Sequence, residues 1–176
     1  LNADSIPAFL VHIPRPPLSR YVECLWRAQG TTSHKRERVL PNGVVEVILN
    51  LGNFHKVLAR DDFSQEQLFR ESWVAGIQNR HLVIESVRET DLVGIRFRAG
   101  GAFALFGFPM SELADEVVEL DLINRQRFAD LRERLLEASS IAERFQLVEA
   151  MLLASLDFSR SAHPAVGYLA SRMRAW

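Results

Sequence analysis

Cysteine is nearly missing from this sequence: Cys24 is the one copy in 176 residues. Its solitude excludes an intrachain disulfide and any multi-cysteine zinc site, and it fits a reducing compartment, the cytoplasm. Excess charge is missing too. Lys and Arg total 21 against 22 Asp and Glu, a net charge of -1, which leaves no field able to hold this segment on DNA, RNA or an anionic membrane. No apolar run approaches the roughly 18 residues needed to span a bilayer, because Arg or Glu interrupts even the best stretches, such as Val44–Leu51.

The motifs of common chemistry are absent as well. The histidines His12, His34, His55, His81 and His163 form neither a His-x-His nor a His-x-x-x-His pair, so local geometry brings no two imidazoles onto one ion. No metal or other cofactor is expected. His34 and His55 could approach one another only through the fold, and an exposed or half-buried histidine is the simpler reading. There is no Gly-x-Ser-x-Gly elbow, and Cys24, between Glu23 and Leu25 in a strand-like run, reads as a packed thiol. Three glycines occur within Gly94–Gly101 without the Gly-x-Gly-x-x-Gly order, and no Walker lysine follows them. The acid pairs Asp61-Asp62 and Asp115-Glu116 sit beside turns or helix edges, so glycosidase-like work has only composition behind it. The alternating charges of His34-Lys35-Arg36-Glu37-Arg38 fit a solvated hairpin edge better than a nucleic-acid patch.

What is present is an ordinary globular composition, 48% apolar and 24% charged, long enough for one substantial domain with an appendage. The chain opens on Leu1 and closes within the helix-like phrase Val166–Trp176, which reads as a piece of a longer protein. Before about residue 100 the pattern is that of strands: 22–29, 37–40, 44–51, 54–60, 66–76, 81–88 and 92–98. Turn chemistry separates them at Pro41-Asn42-Gly43, Gly52-Asn53, Asp61-Asp62, Gln78-Asn79 and Thr90-Asp91. Seven short strands at close spacing predict an antiparallel sandwich or barrel.

Alternation along these strands separates two faces. Val45, Val47, Leu49 and Leu51 make one face of residues 44–51 wholly apolar, whereas Val44, Glu46, Ile48 and Asn50 make the other mixed. Residues 92–98 repeat the pattern, with Val93, Ile95 and Phe97 against Gly94, Arg96 and Arg98. The mixed faces suit a partly polar cavity or a covered sheet surface, and Glu46 is expected to meet Arg96 across the sheet.

Beyond Gly100-Gly101 the period becomes helical. Gly101 can start a short helix through Phe103 and Leu105 that Gly107 ends, and Pro109 forbids its simple continuation. Asp121 is read as the cap of a second helix with Phe128, Leu131, Leu135 and Leu136 on its apolar side. Ser140-Ile141-Ala142-Glu143 reads as a capping box, opening a helix to about Leu156 whose stripe is Ile141, Phe145, Val148, Met151, Leu152 and Leu156. His163-Pro164 reads as a linker and a fresh helix start.

Several phrases taken together resemble a known family. Pro16-Pro17-Leu18-Ser19-Arg20-Tyr21-Val22-Glu23-Cys24-Leu25-Trp26, Arg38-Val39-Leu40-Pro41-Asn42-Gly43-Val44-Val45-Glu46 and Gly94-Ile95-Arg96-Phe97-Arg98-Ala99-Gly100-Gly101 are similar to the amino-terminal sensor domain of a branch of AraC-type transcription regulators. The likeness continues through Gly107-Phe108-Pro109 and Leu131–Ala138, and so covers nearly the whole chain. Ala99 stands where such domains usually have proline, and Asn124 where they have glycine.

The resemblance implies an α+β chain, a cupin-like antiparallel β-barrel or sandwich over about 1–100 followed by a helical subdomain. Residues 1–160 would form the effector-sensing and dimerisation domain, and 161–176 a linker and the start of a helix-turn-helix module that grips DNA. The implied protein is cytoplasmic, a homodimer and not an enzyme, with a small-molecule effector and with DNA contacted only through the following module. For the effector, Glu46 and Arg96 would supply orienting polar contacts and Trp26 and Trp73 an apolar wall; a structural ion pair with core aromatics is the alternative. Phe145, Val148, Met151 and Leu152 are the candidates for subunit pairing, although packing on the chain's own barrel explains the same stripe. A small cupin-like enzyme acting on a sugar or small acid, and a ligand-free dimerisation module, are the competing functions.

Overall fold

A computed structural model describes residues 8–31, 36–58, 64, 66–86, 89–160 and 164–173. Among them are ten strands: β1 (Ala8–His12), β2 (Val22–Thr31), β3 (Arg36–Val39), β4 (Glu46–Asn50), β5 (His55–Leu58), β6 (Glu66–Phe69), β7 (Ser72–Ala75), β8 (Leu82–Ser86), β9 (Glu89–Phe97) and β10 (Val117–Glu119). The helices are α1 (Phe103–Phe106), α2 (Asp121–Glu137), α3 (Ile141–Ser155) and α4 (Pro164–Met173). The strands form a six-stranded antiparallel sheet in the order β1-β2-β9-β4-β7-β10 and a four-stranded one in the order β3-β8-β5-β6. The chain is thus α+β, an antiparallel sandwich followed by helices.

The two-faced pattern of the central strands produces three layers. Val45, Val47, Leu49, Val93, Ile95 and Phe97 pack with α1, α2 and α3 in the larger core, joined by Phe128, Leu131, Leu135, Phe145, Val148 and Leu152. Cys24, Trp26, Ile48, Trp73 and Val117 take the opposite face of the six-stranded sheet and meet Phe69 of the smaller sheet. Strict alternation would not place Val22 and Leu25, three residues apart, on one face. A register shift between Val22 and Cys24 supplies the extra residue, Glu23, and turns both inward to the helices.

Gly94 lies opposite Trp26 in the β2–β9 ladder, and a Cβ there would fall 1.9 Å from indole Cε2. The absence of a side chain is what lets the indole lie over β9. Gly107, at φ +77°, ends α1 in the left-handed conformation that glycine adopts without strain.

Several sequence expectations change. Residues 66–76 are two strands, because Arg70 and Glu71 turn the chain from the small sheet into the large one. Asn50 explains how that corner is tolerated: its backbone amide donates to Glu71 O at 2.8 Å and its side-chain amide to Arg70 O at 2.8 Å. Thr90-Asp91 lies inside β9 rather than in a turn, where its ladder with β2 outweighs local turn preference. Strands β1 and β10 were unforeseen, and β10 returns to the large sheet after residue 100.

In α2, Asp121 sits in the first turn and makes no capping bond, while Asn124 breaks the helix and its Oδ1 accepts from Arg127 N at 3.4 Å. Leu136 is exposed rather than apolar-facing. The Ser140 cap is present, with Oγ accepting from Glu143 N at 3.2 Å, but the Glu143 carboxylate takes the Ser139 N–H and hydroxyl rather than the Ser140 amide. Helix α4 begins at Pro164, as the sequence predicts; Asp61-Asp62, His34-Lys35 and His163 lie outside the described residues.

Gly94→Ala should cost about 1–3 kcal/mol in unfolding free energy, the range for overpacking a tight site, and should shift tryptophan fluorescence as Trp26 lifts away; urea titration followed at both signals checks this.

Candidate functional site

The face of the large sheet that looks toward the small one is organised in rows. Strand register places Cys24, Arg96, Glu46, Ala75 and Val117 side by side, and in the next row Val11, Trp26, Gly94, Ile48 and Trp73. A charged pair therefore borders an apolar, aromatic strip. Arg96 Nε donates to Glu46 Oε1 at 2.8 Å, and Trp26 Nε1 donates to the same oxygen at 3.2 Å. Three of the four sequence-nominated residues form one hydrogen-bonded unit. The fourth, Trp73, lies across Ile48 from them and touches Phe69 and His55 of the small sheet, each at 5.6 Å between ring centroids.

The electrostatics follow from this placement. Burial pulls the Arg96 guanidinium down, but the hydrogen bond and charge of Glu46 outweigh it and hold it above its ordinary value. Burial pushes the Cys24 thiol up, with Arg96 opposing it, so it stays a neutral packing group. His55 is buried at 4% exposure rather than half-exposed, and that burial pushes its imidazole below the ordinary value. Arg96 keeps a side-chain exposure of 34% against 15% for Glu46. Its terminal N–H groups make no hydrogen bond among the described residues, which leaves a planar fork suited to a carboxylate. Among the described residues no three His, Cys, Asp or Glu side chains cluster as a metal site would require.

The helix-facing side of β2 and β9 carries a second polar centre that sequence reasoning missed. Asp91 accepts Nε and Nη2 of Arg27, both at 3.1 Å, and Nη1 of Arg144 from α3 at 3.1 Å. All three side chains are under 20% exposed. Their signal is charge on the inward face: Arg27 follows Leu25 and Asp91 precedes Val93 at the two-residue spacing of one sheet side. The contact with Arg144 spans 53 residues and leaves no trace in local pattern. Beside Asp91 a cleft of about 530 Å³ opens, walled by Gln29, Thr31, Glu89, Thr90 and the turn at Gly52-Asn53.

The subunit-pairing candidates fare differently. Phe145, Val148 and Leu152 are at most 7% exposed and belong to the helix–sheet core, with Met151 partly buried against it. The apolar surface of Phe145, Val148 and Leu152 is taken up within the subunit, so packing on the chain's own sheet accounts for that part of the stripe.

Residues 10–119 match the family model described as a domain of unknown function, DUF6597. The chain belongs to that family. A search of curated protein sequences finds no significant match. Among solved structures, the chain is similar to an HTH_3 family transcriptional regulator from Vibrio cholerae, at 15% identity and a TM-score of 0.40, covering 54% of this chain and 52% of that one. A Cupin_2 domain of an XRE family transcriptional regulator from Enterobacter cloacae aligns at 9% identity and a TM-score of 0.31, over 53% of this chain and 98% of that one. Fe(II)-HppE with an alternative substrate aligns at 9% identity and a TM-score of 0.35, over 52% and 50%. The match thus spans about half of the Vibrio cholerae regulator. No helix among the described residues is long and apolar enough to cross a membrane.

Two outcomes test this description. Asp91→Ala should lower unfolding free energy by about 3–5 kcal/mol, because it strands two buried guanidinium groups, whereas Arg144→Met should cost less since Arg27 and Asp91 stay paired; denaturant midpoints decide between them. For His55 the folded chain takes up its proton at lower pH than the unfolded chain, so between the two values the unfolded state holds more protons and stability rises with pH. The melting temperature should therefore drop as pH falls below about 6.5, the ordinary imidazole value. His55→Phe should flatten that part of the curve, and an unchanged profile would assign the acid loss to other groups.

Proposed function

We propose that this DUF6597 chain is the effector-sensing part of an AraC-type transcription regulator, non-catalytic, cytoplasmic and homodimeric, with residues 1–160 as the sensor and a DNA-gripping module entered through 161–176. The observation that carries this reading is the Glu46 carboxylate holding Trp26 and Arg96 together on the face between the sheets. An arginine fork fixed by its Nε suits a small acid, whose acid group would pair with the guanidinium; Trp26, Ile48 and Trp73 beside it are buried and would wall an apolar body only where effector binding uncovers them. The phrases around Pro16–Trp26, Arg38–Glu46 and Gly94–Gly101 support the regulator assignment, and the net charge of -1 supports leaving DNA to another module.

Regulation would be linkage: an effector that binds one arrangement of the sensor more tightly shifts the population toward it. Strands β2 and β9 carry Trp26 and Arg96 on one face and Arg27 and Asp91 on the other. Arg144 ties the latter pair to α3, so a displacement of these strands on effector binding reaches the helices that lead toward the DNA module.

Thermal-shift screening against small carboxylic acids tests the reading. A ligand at a hundredfold its Kd adds about 2.7 kcal/mol, worth roughly 5–10 °C for a chain of this size. The shift should disappear in Arg96→Met and shrink in Glu46→Gln. If both variants melt lower yet bind the acid unchanged, the pair is structural; stoichiometric metal in the purified protein would favour an enzyme instead.

A further inference from the structure

The sandwich has four edge strands among its described residues, and three are blunted against pairing. Strand β3 presents Arg36, Glu37 and Arg38, β6 begins with the exposed Glu66 and Gln67, and β10 has only three residues. Charge and shortness of this kind are how sheet edges avoid adding a further strand. Strand β1 has neither defence. It is five residues long, carries no charge from Ala8 to Val11 and pairs on one side only, with β2. Phe9, Leu10, Val11 and the following Ile13 are 57%, 47%, 53% and 60% exposed. Alternation puts Phe9 and Val11 on the Trp26 side of the strand and Leu10 on the side of α3, so the edge carries exposed apolar side chains on both of its faces.

The helix beside this edge extends the same surface. A cleft of about 610 Å³ runs between β1 and α3, bounded by Leu10, His12, Arg15, Ala142, Gln146 and Glu149. Ala142, Gln146, Glu149 and Leu153 recur at spacings of four, three and four along α3, one helical stripe, and Leu153 is 47% exposed. This stripe adjoins the one that Phe145, Val148 and Leu152 bury in the core. His12 holds the two elements in register: its Nε2 lies 3.0 Å from Glu149 Oε1, and its ring stacks on Phe145 with centroids 5.3 Å apart.

We propose that the free edge of β1, with the outer stripe of α3, is where a second copy of this chain docks, β1 against β1 in antiparallel order. A free edge demands a strand-shaped partner, because only another backbone satisfies its row of N–H and C=O groups. A two-fold axis presents the same edge from both sides, and antiparallel pairing about Leu10 sets Leu10 against Leu10 and Phe9 against Val11, with Ala8 facing His12. The cleft also holds both signs, Arg15 and Glu149, so a copy related by two-fold symmetry brings an acid for the base and a base for the acid. The two large sheets join into one across the axis, and the α3 helices flank it on the same side. This surface is independent of whether Arg96 takes an effector.

Sedimentation of the full chain over a range of concentrations tests the proposal, together with amide hydrogen exchange. The native chain should sediment as a dimer at micromolar concentration, and the amides of 8–12 should lose protection on dilution. Leu10→Lys and Leu153→Lys, both at exposed positions, should weaken association at least about 100-fold, the effect of charging the centre of an interface, while the melting temperature of the dilute monomer is unchanged. Leu136→Lys, at an exposed position of α2, should leave the dimer intact. A monomer at every concentration, protection of 8–12 that does not vary with concentration, or a dimer that survives Leu10→Lys overturns the proposal.

Discussion

The large sheet must be covered on both sides, and that constraint organises everything else. A six-stranded sheet whose central strands carry Val45, Val47, Leu49, Val93, Ile95 and Phe97 on one face cannot leave that face in water, and α1, α2 and α3 close over it. Its other face holds Trp26, Ile48 and Trp73, which need a second cover, and the four-stranded sheet provides it through Phe69. The bulge at Glu23 reconciles β2 with both demands. Burial of apolar surface on two sides is the main stabilising contribution, and several of the polar groups within it are paired: Glu46 with Arg96 and Trp26, Asp91 with Arg27 and Arg144, and Asn50 with the backbone at the sheet corner.

Much of this was legible in the residues because it is periodic. The two-residue alternation of 44–51 and 92–98 identified both strands, both faces and the meeting of Glu46 with Arg96. The Ser140 cap and the Phe145–Leu152 stripe located α3. What stayed hidden depends on partners far along the chain. Strand β1 is missing from the strands expected of the sequence, because its place in the sheet comes from pairing with β2. Thr90-Asp91 has turn composition, yet its place in β9 comes from the ladder with Gln29 and Gly30. The corner at Arg70-Glu71 is invisible without Asn50, twenty residues earlier. A stripe on α3 says that something apolar covers it and does not say whether that is the chain's own sheet or another molecule.

The two polar centres sit back to back on the same pair of strands. Side chains at Trp26 and Arg96 point toward the small sheet, and those at Arg27 and Asp91 toward the helices, because neighbours in a strand alternate. A shift of β2 relative to β9 therefore disturbs both centres together. The Arg144 contact means that such a shift is felt by α3, the helix that also borders the exposed β1 edge. The charged pair between the sheets, the position of α3 and the edge are thereby connected through two adjacent strands rather than through a long relay of side chains.

The Asn50 brace sets one end of β4 apart from the other. Its side chain is fully buried and donates to Asn53 O and Arg70 O on the crossing from one sheet to the other, while its Oδ1 accepts from Gly52 N. Four residues earlier on the same strand, roughly 13 Å away at the usual rise, Glu46 and Arg96 are partly solvated. The crossing between the sheets is thus braced at one end of β4 by a buried amide that bonds three backbone groups, whereas at the other end a charged pair meets solvent, with Arg96 keeping 34% of its side chain exposed.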